Sequence, residues 1–467
     1  MSIRNLLLSV RNGVGALVLL MPPPILGGQG GRAVRNGVGA LVLLMLPWWW
    51  HWIVVRRPFE GILFHELTDF SLYATDALLL VAVMAWLLTK PDLSALPGWM
   101  LWPLLALPLL AFALVPVSAD RDLALYQSAR LSLVTLWALV IAGSPWLRRA
   151  APALLLAGSS LQAIIALAQA AVQHAVGLSF VGEVPLSQQM PGVSVIYAAG
   201  VRWLRPYGLT QHPNILAGCL AVAFLWALAT VSTSNVRLRW AWYAGLALTA
   251  AGLAVTFSRA TWIGVALGVL LIGGRALWGQ PPPRRRRFVR RIVLPLLGLG
   301  LVFGIVTWPI LASRLGLTGA GAEVRSIAER GATLAIAWRR LTTAPWPGIG
   351  LAQFTRLTLV GNQDLLGAYA PQPVHMAPLL ALVELGPLGG LLWLWLMLAP
   401  LVAWIKQRTP PASLLGLTAA LLALIVIGLF DFYPFQATQG RLLTWTVLGF
   451  WGAAWQDADR QPSLPVI

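Results

Sequence analysis

Charge is scarce in this chain: Asp, Glu, Lys and Arg together make up 10% of its 467 residues. A water-soluble domain carries about 25%, so there are too few charged side chains here to clothe a surface in water. Lysine is almost absent, with only Lys90 and Lys406 present. Nearly all the positive charge is therefore arginine, whose planar fork suits bidentate contacts to phosphate. One cysteine, Cys219, excludes a disulfide within the chain.

What the chain has instead is apolar sequence, 58% of it hydrophobic, with a mean hydropathy of +0.76. Apolar runs of about 20 residues recur from end to end, each long enough to cross a hydrocarbon core of ~30 Å. In lipid every backbone polar group must be satisfied internally, which leaves helices or a closed barrel. Barrel strands alternate apolar and polar residues. Runs such as 216–231 and 414–430 are apolar on every face, so helices are expected. The expected fold is an all-α polytopic integral membrane protein with about 12 transmembrane helices. Apolar runs and their breaks put spans near 36–55, 71–89, 98–116, 130–146, 150–172, 213–232, 239–257, 260–278, 291–311, 377–404, 413–430 and 441–456.

A net charge of +18 would suggest nucleic acid for a soluble protein. In a membrane chain two effects compete to explain it, cytoplasmic retention of positive loops and binding of anionic lipid or phosphate ligands, and no nucleic-acid partner is expected. The strongest topological signal is Arg284, Arg285, Arg286 and Arg287 with Arg290 and Arg291, assigned to the cytoplasm. Counting spans outward puts Lys90, Arg148, Arg149, Arg237, Arg239, Lys406 and Arg408 on that same side, with both termini inside.

Residues 11–21 and 35–45 are the same eleven residues, RNGVGALVLLM. The first copy is too short to span before three prolines interrupt it. Residues 1–33 are read as an extension outside the core, with a cleaved signal peptide as the alternative. Residues 34–460 then form one transmembrane domain, and 461–467 a cytoplasmic tail. Two long loops fall on the outer side, 173–212 and 312–376. The second lies between spans 9 and 10 and is expected to be partly helical, over about 323–343. Arginines stand on that side against the topology rule: Arg202, Arg205, Arg259, Arg314, Arg325, Arg330, Arg339, Arg340 and Arg356. A ligand would explain them, and headgroup snorkelling is the plain alternative for some.

Four stretches at the outer ends of spans carry the candidate chemistry. In RPYGLTQHPN (205–214), Pro213 and Asn214 signal a helix start. Such a start aims a positive dipole end at anything above it, which suits a diphosphate; a well-capped re-entry turn is the bland reading. In TFSRATW (256–262), two spans meet with almost no loop and hold Ser258 and Arg259 at the boundary. A charge there faces a phosphate or an internal carboxylate. The third stretch runs from Arg325 past Glu329 and Arg330 to Trp346, Pro347, Gly348, Ile349 and Gly350. The fourth is His375, with Glu384 on the helix that follows. Histidine is the usual general base near neutral pH, and His212 is the other histidine in a comparable setting. Glu384 lies nine residues on, about 13.5 Å along a helix, so it is expected to pair with an arginine inside the bundle rather than with His375.

Taken in order, these stretches resemble the O-antigen ligase superfamily of ligases and surface-polysaccharide polymerases. The family's signature is His, then Asn, Ser or Gln, then nine residues and Gly-x-x-Gly. Here it reads His375, Met376, nine residues, then Gly386, Pro387, Leu388 and Gly389, with Met376 departing from the polar residue. The runs GLTQHPNILAG (208–218) and SRATW (258–262) are also similar to the family's, as are Pro347, Gly348, Ile349 and Gly350. The resemblance covers about 60–456 and is strongest over 205–390.

The resemblance implies a glycosyltransferase of the bacterial cytoplasmic membrane, with its active site facing the periplasm or cell exterior. Its partners would be an undecaprenyl-diphosphate-linked glycan donor, a glycan or lipid A core acceptor, and membrane lipids. It implies no metal or other cofactor. His375 would take the proton of the acceptor hydroxyl, Arg205, Arg259 and Arg330 would bind the donor diphosphate, and His212, Asn214 and Glu384 would support them. Two other readings compete. Asp120 and Asp122 have the Asp-x-Asp form of metal-dependent glycosyltransferases, although a polar loop cap explains them as well. A lipid-linked-oligosaccharide flippase or other transporter predicts repeat symmetry and polar residues at the bilayer midplane, and neither stands out in the sequence.

Overall fold

A computed structural model of the chain describes residues 28–57, 67–89, 91–233, 238–277, 282–317, 321–367, 369–407 and 410–460. The first copy of the repeat and the tail 461–467 lie outside the described residues, as do Lys90, Arg237 and Arg408. The protein is mostly helical. In chain order it runs α1 (Gly28–Met45), a hairpin of β1 (His51–Val55) and β2 (Phe70–Tyr73), α2 (Ala74–Leu88), α3 (Gly98–Ala113), α4 (Arg121–Ala142) and α5 (Pro145–Val172). A second hairpin, β3 (Val195–Ala198) and β4 (Val201–Leu204), precedes α6 (Pro213–Thr233), α7 (Arg239–Val255) and α8 (Arg259–Leu277). Then follow α9 (Pro282–Phe288), a π-helical turn, α10 (Leu294–Val306), α11 (Trp308–Arg314) and α12 (Gly321–Thr343). Two short helices, α13 (Phe354–Leu359) and α14 (Gln363–Leu366), lead to α15 (Ala377–Ile405), α16 (Ala412–Gly428) and α17 (Thr438–Arg460).

Five of these helices are long and apolar enough to cross a membrane, and six if the bent pair α10–α11 counts as one. Helix α6 is buried almost throughout, packed by α16, α8, α7 and α5. Small residues bring these helices close, as expected where lipid offers no hydrophobic drive for association. Gly264 of α8 lies against the Ala423 backbone of α16, Gly268 of α8 against the Leu225 side chain of α6, and Gly218 of α6 against the Tyr433 hydroxyl and ring. A Cβ at any of the three would collide with its neighbour.

Two predicted spans need correction. The stretch 36–55 is not one helix: α1 ends at Met45, and residues 51–55 form β1, antiparallel to β2. Pro47 cannot continue a helix, and the tryptophans 48–50 that follow favour extended backbone. Helix α1 also begins at Gly28, so residues 28–33 belong to it, and the second copy of the repeat is core, packed on α2 and α5. The stretch 291–311 is broken at Thr307, where α10 and α11 meet at 89°. Pro309 lacks the N–H that would continue the ladder from α10 and is accommodated in the first turn of α11, where that N–H has no partner in any case. The helix expected over 323–343 is present as α12.

One further break shapes the site. Within α15, Gly386 has φ 73° and ψ −178°, a conformation that only glycine adopts readily. The opened backbone accepts Ile349 N–H at Val383 O (3.2 Å) and Gly350 N–H at Glu384 O (2.8 Å). Gly348, at φ 115°, sits so close to Gly386 that neither has room for a Cβ. The Gly-x-x-Gly and Pro-Gly-Ile-Gly motifs are thus two sides of one joint.

Candidate functional site

The site lies at the bundle end where α6, α8, α15 and α17 begin and α16 stops. The turn before α6 is held from α5. Gln169 Oε1 accepts Tyr207 N–H and Gly208 N–H at 2.9 and 2.8 Å, and Gln162 Oε1 accepts Leu209 N–H at 2.8 Å. His212 caps α6: its Nδ1 accepts Asn214 N–H at 3.1 Å and its carbonyl accepts Ile215 and Leu216 N–H. An accepting Nδ1 requires a neutral ring. Burial, and then Arg205, bring the His212 pKa down to about 3 against an opposing pull from Asp431. The helix start expected to face a diphosphate is therefore partly capped by its own sequence.

Arg205 is buried, and its guanidinium donates to Thr256 O (2.7 Å), Ser194 Oγ (2.9 Å) and Asn214 Oδ1 (2.7 Å). It ties three segments together beside the cavity. Asn214 passes the connection on, donating from Nδ2 to Asp431 Oδ2 at 2.8 Å.

Arg259 opens α8 and donates through Nη1 to Arg314 O at 2.7 Å, while Arg314 Nε donates to Phe257 O at 3.1 Å. The bend at Thr307 makes this exchange possible, because it swings α11 across the α7–α8 turn and delivers Arg314 to the site. Arg259 and Arg314 thereby hold each other's segments at the cavity wall, which Asp431 also lines. Arg330 comes from α12 and is half-buried.

His375 stands two residues before α15, half-buried, with Phe432 edge-on to its ring at 5.3 Å between centroids. Its Nδ1 has no hydrogen-bond partner among the described residues. Burial lowers its pKa to about 4; Arg330 adds to this, while the Asp431 carboxylate pulls the other way. The ring is therefore neutral near pH 7.

These side chains line two adjoining cavities. The smaller, about 260 Å³, is walled by Arg259, Arg314 and Arg330, with Ile263, Ile427 and Phe430 on its apolar side. The larger, about 400 Å³, holds His375, His212, Arg205, Glu329, Gln372 and Tyr197. Asn214, Arg314, Arg330, Asp431 and Tyr433 belong to both. Four arginines face two carboxylates around the joint space, which favours an anionic occupant.

Three residues of the sequence reading go elsewhere. Glu384 is fully buried away from the cavities, and among the described residues its carboxylate is bound by backbone N–H groups rather than by an arginine. Its Oε2 accepts Ala352 N–H at 2.9 Å and its Oε1 accepts Phe354 N–H at 3.1 Å, so it anchors the loop that follows the Gly348 joint. Asp120 caps α4 through Leu123 N–H and holds Arg57 at 2.9 Å. Asp122 is exposed on the first turn of α4. Among the described residues no group of three or more His, Cys, Asp or Glu side chains is placed to hold a metal.

Sequence reasoning missed Asp431 and Tyr433 and gave Arg314 no role. The available signal was a lone acidic residue in the apolar turn LFDFYPF (429–435), which in a membrane chain marks a functional position. Chemically, the arrangement pairs a cationic chamber with a neutral imidazole. That suits binding a phosphate-bearing molecule beside a group able to accept a proton. No family model matches the chain, and no curated protein matches it.

Proposed function

We propose that this chain is a glycosyltransferase of the bacterial cytoplasmic membrane. It moves a glycan from undecaprenyl diphosphate to an acceptor hydroxyl at the outer face, as an O-antigen ligase or surface-polysaccharide polymerase. The observation that carries the reading is the junction of the two cavities, with arginines 259, 314 and 330 in one and His375 in the other. The topology that goes with it is twelve spans, both termini inside, and the loops 173–212 and 312–376 outside.

In this reading the diphosphate lies in the smaller chamber against Arg259, Arg314 and Arg330, and the lipid leaves past Ile263 and Phe430. The acceptor enters the larger chamber. Its hydroxyl oxygen bonds to the anomeric carbon as the bond from that carbon to the phosphate oxygen breaks. The proton passes to His375, and the polyprenyl diphosphate departs with the electron pair. The guanidiniums stabilise the charge that grows on the leaving group, where fixed donors act most strongly. Arg205 acts by holding Asn214 and thus Asp431, rather than by touching the donor. Asp431 supports the imidazolium that forms.

The test is transfer from an undecaprenyl-diphosphate-linked glycan by the purified protein in nanodiscs, with and without EDTA, for wild type and His375→Ala. The acceptors are lipid A core and a second lipid-linked glycan. Transfer that survives the chelator and is lost with His375→Ala supports the reading, and the productive acceptor separates ligase from polymerase. Transfer abolished by EDTA but retained by His375→Ala overturns it and moves attention to Asp120 and Asp122.

A further inference from the structure

Helix α12 divides its surface into sides of different character. Thr333, Ile336 and Ala337 are buried against the protein, and Ser326, Glu329 and Arg330 line the larger cavity. Ile327, Leu334 and Trp338 fall within about 40° of one another at about 100° per residue, and they are 66%, 44% and 65% exposed. Arg325 lies on the opposite flank, exposed, and Arg339 is turned to Asp364, to which it donates at 2.9 and 2.6 Å. A helix with an apolar stripe and arginines on its other side has the pattern of one that lies in a membrane interface.

The surroundings say what covers the stripe. Helix α10 exposes Leu297, Leu301, Val302, Ile305 and Val306, a surface that only lipid suits. Its chain turns by 89° into α11, continues through the exposed Leu315 and Leu317, and enters α12 at Gly321. Helix α12 also packs on α15, which is long and apolar enough to span, and its Arg330 shares the larger cavity with His375, two residues before α15 begins. The stripe is therefore continuous with a lipid-facing surface and sits at the level where a spanning helix ends. Tryptophan is enriched at that level in membrane proteins.

We infer that α12 docks on the bilayer surface through Ile327, Leu334 and Trp338, and that this docking sets the height of Arg330 over the cavity. The lipid bilayer is the partner, and the inference stands independently of what the cavity transforms.

The experiment places a nitroxide on the full-length protein in phosphatidylethanolamine and phosphatidylglycerol nanodiscs. Labels go on Ile327→Cys, Leu334→Cys and, across the helix, Arg325→Cys; the native Cys219 is buried and stays unlabelled. Power saturation then compares collision with oxygen, which concentrates in lipid, and with a water-soluble nickel chelate. The expected result is oxygen-dominated collision at 327 and 334 and nickel-dominated collision at 325. Nickel access at 334 equal to that at 325 overturns the inference, because the stripe then faces water. Protection from both reagents overturns it too, because protein then covers the stripe. Trp338→Cys provides a further stripe position should either variant fold poorly.

Discussion

The side-chain amide of Asn214 donates to Asp431 Oδ2 at 2.8 Å, joining the start of α6 to the turn between α16 and α17. That one bond places the carboxylate beside His375 and on the boundary of both cavities. Neither residue could do this from its own element alone, because each helix end presents its polar groups only where its neighbour lets it.

His375→Ala is expected to lower transfer by about 10²–10⁴-fold, the usual worth of a positioned general base. His212→Ala removes a helix cap instead, at a cost of about 0.5–2 kcal/mol in stability, with a smaller effect on rate. Single-turnover transfer measured beside thermal unfolding separates the two roles.

The acid limb of the rate profile should report His375. Burial and Arg330 disfavour its charged form, and Asp431 favours it. Asp431→Asn therefore moves the limb to lower pH, and Arg330→Gln moves it to higher pH. Rate profiles of kcat/KM between pH 4 and 8 would show the two variants displaced in opposite directions; displacement in the same direction rules this arrangement out.

His212 should make the fold acid-sensitive. Its folded pKa, about 3, lies below the ordinary value of about 6.5. Above pH 6.5 neither state binds the proton and the cap contributes fully. As the pH falls below that value the unfolded chain takes up the proton first, so stability declines toward the folded pKa. His212→Asn keeps a capping side chain without titrating there, and its unfolding temperature should fall less between pH 7 and 4 than that of the wild type.

Glu384→Ala leaves two buried N–H groups, of Ala352 and Phe354, without acceptors, at about 1–3 kcal/mol each. Glu384→Gln retains one carbonyl oxygen and should lose less. Thermal unfolding in detergent is the measurement, and equal losses for the two variants would contradict the anchoring role.

Much of this was readable from the sequence, for reasons particular residues make plain. Runs apolar on all faces, such as that in α6, can only be buried or lipid-facing helices. The polar-cap reading of Asp120 matches its place at the start of α4, where it accepts Leu123 N–H. The break at Thr307 was hidden because hydropathy carries no direction: α10 and α11 are both apolar, and only Pro309 hints that they part. Arg205, Arg259 and Arg330 were found as arginines on the side where topology did not want them. What each one touches depends on distant partners, Thr256 and Ser194 for Arg205 and the Arg314 carbonyl for Arg259, and local sequence does not encode these. Asp431 was passed over because one carboxylate among phenylalanines matches no motif, and Glu384 was matched to an arginine because the donors it binds are backbone N–H groups of a distant loop.

The three-way grip of Arg205 changes how an inactive variant there is to be interpreted. Its fork spans Thr256, Ser194 and Asn214, acceptors from three separate stretches arranged around a plane. Lysine offers a compact point of charge and no such plane, so Arg205→Lys abandons part of the grip even though the charge is kept. A mutational scan will therefore score this position as intolerant even of its nearest chemical relative. That intolerance speaks of architecture, and a substrate contact cannot be argued from it.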